Sequence, residues 1–365
     1  MSNASSTESF EPAARPPFQV EVGSPSLPLW AWVTAAAVCT LGAYLLLFYH
    51  WAIVANPLVW TRLVATRGDD RAYVAAKVLS GELRNADIVL LGTSATRYAF
   101  WPEPILEAAL RQRGERDAKI VNLASDLQSP IESLFLTTVG ETRRNQLFVL
   151  FMSPGMFQAE PFAYLERGYF LLPPEHLIAA HSPEGLYPEY WTSWSFRMLA
   201  RWRALRERLL RFIDIGFRSQ VGRAVYNTPV PPYRLHVERE TYDAGTRASY
   251  LAAARLRFER HSAANLAYLA QTLDVLTTAI QQRGSRLVIA HSPDVDRYFA
   301  TAYPQEHEKF ETILRNLHIA RRVELLDLNP RMDWTEGDFL DYGHLAAHGR
   351  DKWSVAFVDW LRSQR

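Results

Sequence analysis

The sequence predicts an α/β protein: a five-stranded parallel sheet covered on both faces, one N-terminal transmembrane helix and one large aromatic-rich insertion. Three observations predict it. Five short apolar runs alternate with helical stretches, 21 consecutive residues near the N-terminus carry no charge, and the block between the third and fourth runs differs in composition from the rest.

The runs are Asp87–Leu91, Lys119–Leu123, Gln146–Met152, Arg286–His291 and Val323–Leu326. Each is short and rich in Val, Ile and Leu, as strands buried on both faces require. Between them, Ser129-Pro130-Ile131-Glu132 has the spacing of a capping box with proline at the first helical position. From about Ala248 to Arg283, Leu266, Leu269, Leu273, Leu276 and Ile280 recur at steps of three and four, and Gly284 ends the pattern. Strand and helix in alternation imply a parallel sheet with helices on both faces.

Leu29–Tyr49 is the charge-free segment. At about 1.5 Å per residue it reaches roughly 30 Å, the thickness of a bilayer core. Trp30 and Trp32 flank one end, Tyr49 and Trp51 the other, as interfacial anchors do. A cleavable signal peptide starts basic and has a shorter apolar core, whereas only Arg15 supplies positive charge before this segment. The expected organisation is a mobile tail at 1–28, a transmembrane anchor at 29–51 and a connector at 52–85. A catalytic domain of 86–160 and 245–365 follows, with an insertion or lid at 161–244. Arg62, Arg67 and Arg71 follow the anchor and lean the charge count towards a cytoplasmic body.

The insertion holds 15 aromatics in its 84 residues and is broken by Pro173-Pro174, Pro229, Pro231 and Pro232. An excursion of that length is usually a lid or a binding surface. Within it Leu199, Trp202, Leu205, Leu209 and Phe212 form a helical stripe among six arginines between Arg197 and Arg211. That pattern fits a helix lying on a membrane or against a membrane partner, and equally a surface helix with a solvated basic face.

Composition excludes several classes. With 48% apolar and 22% charged residues over 365 positions, the chain builds a full core. Lys plus Arg (40) nearly cancels Asp plus Glu (39), so no basic field favours nucleic acid. Cys39 is the single cysteine, which leaves no intramolecular disulfide and no cysteine-based zinc site.

The chemistry collects at strand ends. The first run leads straight into Gly92-Thr93-Ser94, where a serine at the carboxyl edge of a parallel sheet exposes its hydroxyl. Used structurally, the same serine would only cap a helix. Near the other end of the chain, Asp341 and His344 are three apart. One turn brings both to the same side, so that a carboxylate can fix the imidazole tautomer while the other ring nitrogen meets a nucleophile. His344 and His348, four apart, with Asp341 could alternatively share a metal ion, but no further cluster supplies ligands. His291 closes the fourth run at the same edge, as a site member or as a satisfied polar end. Arg97, about one helical turn past Ser94, either meets an anionic substrate or closes a salt bridge at the sheet edge.

Gly92-Thr93-Ser94, Asn122-Leu123-Ala124 and Asp341-x-x-His344-Leu345 resemble the first, second and fifth blocks of SGNH (GDSL-type) hydrolases. Ser153-Pro154 and Ser292-Pro293 are similar to turns of the membrane-anchored branch that includes DltD-type and polysaccharide O-acetylation proteins. The second block's glycine is Ala124 here, and the third block's Gly-x-Asn-Asp is missing. The resemblance implies a three-layer α/β/α sandwich with Ser94 as nucleophile, His344 as base and then acid, and Asp341 as its orienter. The oxyanion hole does not transfer whole; the donors expected here are the Ser94 N–H and an N–H near Ala124 or Ser125, with no cofactor and no metal ion. The resemblance also implies a body facing the periplasm or outer side of the cytoplasmic membrane, overriding the charge count. The expected partners are the bilayer, a membrane-bound O-acyltransferase (MBOAT) and an extracellular polysaccharide or related polymer, with no nucleic acid. The expected activity is movement of an acyl group, acetyl by the family's pattern, through an acyl-Ser94 intermediate. A deacetylase using water and a catalytically silent accessory subunit are the alternatives.

Overall fold

A computed structural model describes residues 28–54, 74, 77–78, 81–114, 117–126, 128–140, 142–158, 243–294, 298–341 and 343–364. The expected tail, most of the insertion and its arginine-flanked helical stripe lie outside the described residues.

Helix α1 is Leu29–Val54, with no charged residue in its first or last turn, and the N-terminal unit, which ends at Tyr49, holds most of it. The side chains of α1 are described as far as Tyr44, and Leu29, Trp30, Trp32, Val33, Val38 and Leu41 among them are exposed. Among the described residues, no helix is long and apolar enough to cross a membrane.

The second unit is α/β. After the short helix α2 (Glu82–Asn85), strand β1 (Ile88–Leu91) leads into helices α3 (Ser94–Ala99) and α4 (Glu103–Gln112). Strand β2 (Ile120–Asn122), helix α5 (Pro130–Val139) and strand β3 (Leu147–Met152) follow. Beyond the insertion come helix α6 (Ala244–Gln282), strand β4 (Arg286–His291), helices α7 (Tyr298–Ala302) and α8 (Pro304–Arg321), strand β5 (Glu324–Leu326) and helix α9 (Ala347–Ser363). The strands form one all-parallel sheet in the order β2-β1-β3-β4-β5. All five fall on the predicted apolar runs.

Alternation along the strands sorts the core into two clusters. Val89, Leu91, Phe148, Leu150 and Ile289 pack with Phe135 of α5, Leu273, Leu276 and Ile280 of α6, and Phe310 and Leu314 of α8. Ile88, Leu90, Val149, Phe151 and Val288 pack with Leu106 and Leu110 of α4 and Trp353 and Phe357 of α9. Helices therefore cover both faces, and the strands have no polar face because neither side meets water. The stretch expected as a connector, 52–85, contributes Val74, Val78 and Leu83 to the first cluster.

Local signals set the helix ends. The Ser129 side chain accepts from the Glu132 N–H while Glu132 accepts from the Ser129 N–H, completing the capping box at α5. Helix α6 starts four residues before the expected Ala248, because Asp243 accepts from the Thr246 N–H (3.0 Å) and caps it there. Gly284 follows with a left-handed φ of 69°.

At the edge strand β2, the outward N–H groups of Ile120 and Asn122 donate to Glu107 (3.0 Å) and Glu103 (2.6 Å), one turn apart on α4. Lys77, buried, pairs with Glu103 in turn.

From β1 the chain moves to β2 on one side and then crosses back past β1 to β3 on the other, so the strand order reverses between β1 and β3. Loops at the carboxyl ends diverge at such a reversal and open a crevice where ligands bind in open α/β sheets. The turn after β1 leads directly into Ser94, the first residue of α3.

Candidate active site

Gly92 makes the turn out of β1 with φ 147°, a backbone region that L side chains rarely adopt. A Cβ there would sit 2.2 Å from Thr96 Oγ1 and 2.9 Å from the Phe151 carbonyl oxygen, so only glycine fits. Thr93, not Ser94, caps α3: its side chain accepts from the Ala95 N–H at 3.2 Å. Ser94 is the first helical residue, and its hydroxyl is left for another partner.

That partner comes from the far end of the chain. His344 Nε2 lies 2.8 Å from Ser94 Oγ, and His344 Nδ1 lies 2.7 Å from Asp341 Oδ2. Asp341 is buried, and its second oxygen accepts from the Gly343 and His344 N–H groups, both at 2.9 Å. Burial pushes the Asp341 carboxyl up, but the His344 imidazole and the two N–H groups outweigh it and hold the group below its ordinary value. An ionised carboxylate only accepts, so Nδ1 carries the ring proton and Nε2 accepts from the Ser94 hydroxyl. The Tyr98 ring meets the His344 ring edge-on at 5.3 Å and limits its rotation.

A second buried carboxylate holds the loop that carries Asp341 and His344. Asp338, at 0% exposure, accepts from the Thr335 N–H (2.7 Å), the Thr335 hydroxyl (2.9 Å) and Lys352 Nζ (2.8 Å) of α9. Burial pushes its carboxyl up, while Lys352 and Thr335 bring it below the ordinary carboxylate value. The Asp338 carbonyl accepts from the Ala346 N–H at 2.8 Å, and the Leu340 N–H donates to the His344 carbonyl at 2.7 Å. The loop is thus a narrow antiparallel ribbon with Phe339 opposite Leu345. Gly349 lets α9 approach, since a Cβ there would stand 2.2 Å from the Asp338 carbonyl oxygen. Lys352→Met leaves the Asp338 charge buried without its cation, and the expected loss is about 3 kcal/mol of stability by urea unfolding.

The expected oxyanion donors require a correction. The Ala124 N–H donates to its neighbour's side chain, Asn122 Oδ1, at 2.9 Å, and the Ser125 N–H donates to the Gly92 carbonyl at 3.1 Å. The first closes a local turn with the Asn122 side chain, and the second arises because the loop after β2 continues alongside Gly92 before turning away. The Ser94 N–H has no acceptor among the described residues.

Arg97 takes the second of its two expected roles, the salt bridge. It is buried, pairs with Asp126 at 2.9 Å and lies 5.1 Å from the Tyr98 ring centroid, so its charge supports the site from within. His348 is largely exposed and stands 3.8 Å from Asp338. Among the described residues, no group of three or more His, Cys, Asp or Glu is arranged to hold a metal ion. His291 faces Glu311 at 3.7 Å and packs edge-on to Phe310.

Sequence reading missed Tyr98, Gln128 and the Asp338–Lys352 pair. A residue spacing of 14 carries no helical signal for the last. Tyr98 lies one turn beyond Ser94 and was within reach of a helix-face argument. No protein-family model matches the chain, and no protein of curated function matches its sequence.

Proposed function

We propose that this chain is a membrane-anchored, SGNH-like serine acyltransferase or esterase that moves an acyl group to or from an extracellular polysaccharide or related polymer. One observation carries the reading: the Ser94 hydroxyl, the His344 imidazole and the Asp341 carboxylate stand in one hydrogen-bonded line although 250 residues separate the first two. The resemblance of the Gly92-Thr93-Ser94 and Asp341-x-x-His344 motifs to SGNH blocks, and the position of Ser94 at the strand-order reversal, support it.

In the first half-reaction Ser94 Oγ attacks the acyl carbonyl carbon while its proton passes to His344 Nε2. The Ser94 N–H lies beside the developing oxyanion. Collapse of the tetrahedral intermediate breaks the bond to the donor oxygen, and imidazolium His344 returns the proton to that leaving group. Acyl-Ser94 is then attacked by an acceptor hydroxyl, with His344 taking and returning the proton again. Asp341 stays ionised and stabilises the imidazolium.

The charge-free Leu29–Tyr49 segment supports a bilayer anchor, and the family resemblance supports a body on the periplasmic or outer side with an MBOAT partner. The engagement of the Ala124 and Ser125 N–H groups favours a second reading, a catalytically silent accessory subunit, because of the three expected donors it leaves only the Ser94 N–H among the described residues.

An alkyl fluorophosphonate tests the proposal. Covalent labelling of the Ser94 peptide, seen by mass spectrometry, is expected for either enzyme, and absence of labelling in folded protein favours the accessory role. Partition of an activated acyl ester between water and a sugar acceptor then separates hydrolase from transferase.

A further inference from the structure

In a parallel ladder, a residue facing its partner strand donates to the residue before its register mate and accepts from the residue after it. β1 and β2 follow this rule through Leu90, which is in register with Asn122 and accepts from the Leu123 N–H at 2.8 Å. Gly92, just past the end of β1, is the next residue to face the β2 side. Its expected mates are the Ser125 N–H and the Leu123 carbonyl. The Ser125 N–H reaches the Gly92 carbonyl at 3.1 Å.

The other rung is replaced. The Gln128 carboxamide stands between its two ends: Oε1 accepts from the Gly92 N–H at 2.7 Å, and Nε2 donates to the Leu123 carbonyl at 2.9 Å. Gln128 is at 0% exposure, and its own N–H donates to the Ser125 carbonyl at 3.2 Å, which folds the side chain back beneath the loop. Gly92 is also the residue whose neighbours leave no room for a Cβ. Its peptide is therefore held on the N–H side by Gln128 and on the carbonyl side by Ser125.

We infer that Gln128 is a positioning residue: its carboxamide replaces one rung of the β1–β2 ladder, parts the two exit loops and fixes the Gly92 peptide from which Ser94 is presented. The chemistry demands a carboxamide. A group that only accepts leaves the Leu123 carbonyl unsatisfied, and an apolar group leaves both ends unsatisfied in a buried place. Without the carboxamide, the Gly92 N–H and the Leu123 carbonyl both lose their partner, and the nucleophile turn is no longer held on its N–H side. The geometric claim stands alone, while its catalytic consequence rests on the acyl-Ser94 reading.

Two variants of the full chain test it. Gln128→Met is expected to lower kcat for an activated acyl ester at least tenfold with KM within twofold, and to slow fluorophosphonate labelling of Ser94 in proportion. Gln128→Glu, when protonated, restores both an acceptor and a donor, so its kcat relative to wild type at the same pH is expected to rise towards one as pH falls from 8 to 5. A Gln128→Met kcat within twofold of wild type overturns the catalytic role, as does a pH-independent Gln128→Glu ratio. Amide exchange at Gly92 reads the wedge without any turnover. At least tenfold faster exchange in Gln128→Met supports it, and unchanged exchange overturns it. Wild-type protein that neither turns over nor labels sinks the acyl-Ser94 reading alone, with the exchange result still deciding the wedge.

Discussion

Ser94→Ala is expected to lower turnover of an activated acyl ester by on the order of 10⁴-fold or more, with residual activity from binding and the remaining backbone donor. The measurement is kcat for an aryl acetate, with unfolding followed in parallel. Among the described residues Ser94 Oγ has one hydrogen-bond partner, His344, and the helix cap belongs to Thr93, so stability is expected to stay within about 1 kcal/mol of wild type. Loss of fold would make the kinetics uninformative, and the position of the cap is what guards against it. Retention of more than a tenth of the wild-type rate would show that the reaction bypasses this hydroxyl.

Asp341→Asn is expected to lower kcat by about 10³- to 10⁴-fold. Asp341 Oδ1 accepts from two backbone N–H groups, of Gly343 and His344. Asparagine has one oxygen, which those two donors capture, so its NH₂ group must face His344 Nδ1. That nitrogen then has to accept, the ring proton moves to Nε2, and Nε2 can no longer take the Ser94 proton. The backbone path survives while the tautomer is wrong.

The same residue predicts a pH effect on stability. The Asp341 carboxyl is held below its ordinary value, so its pairing stabilises the fold fully above the unfolded carboxyl value of about 3.9 and loses that contribution as pH falls through the lower folded value. The stability difference between wild type and Asp341→Asn is therefore expected to be larger at pH 7 than at pH 3 in urea titrations. An equal difference at both would place the stabilisation elsewhere.

Which features the sequence revealed follows from the range of the forces involved. Strands β1 to β5 were legible because burial on both faces leaves an uninterrupted apolar run, and α5 because its capping box is complete within four residues. Ser94, Asp341 and His344 were legible as motifs, one at a strand end and two at a one-turn spacing. Their meeting was not a local property, since it depends on where the sheet order places the first and last loops. Failures occurred where backbone groups choose among competing partners. Ala124 and Ser125 were expected to offer N–H groups, but Asn122 and Gly92 had already engaged them. Arg97 was readable either way until Asp126, 29 residues on, came within 2.9 Å. Gln128 had no pattern at all, because a single carboxamide replacing a ladder rung leaves no periodic trace.

Glu103 and Glu107 have a consequence for how this molecule meets copies of itself. An uncovered outer strand offers a row of unpaired amides on which another chain can template. On the β2 side two of those amides already hold carboxylates from α4, so an incoming strand would have to displace negative charge and gain little. Growth of the sheet is left to the β5 border, only three residues long, and that brevity guards against runaway aggregation there.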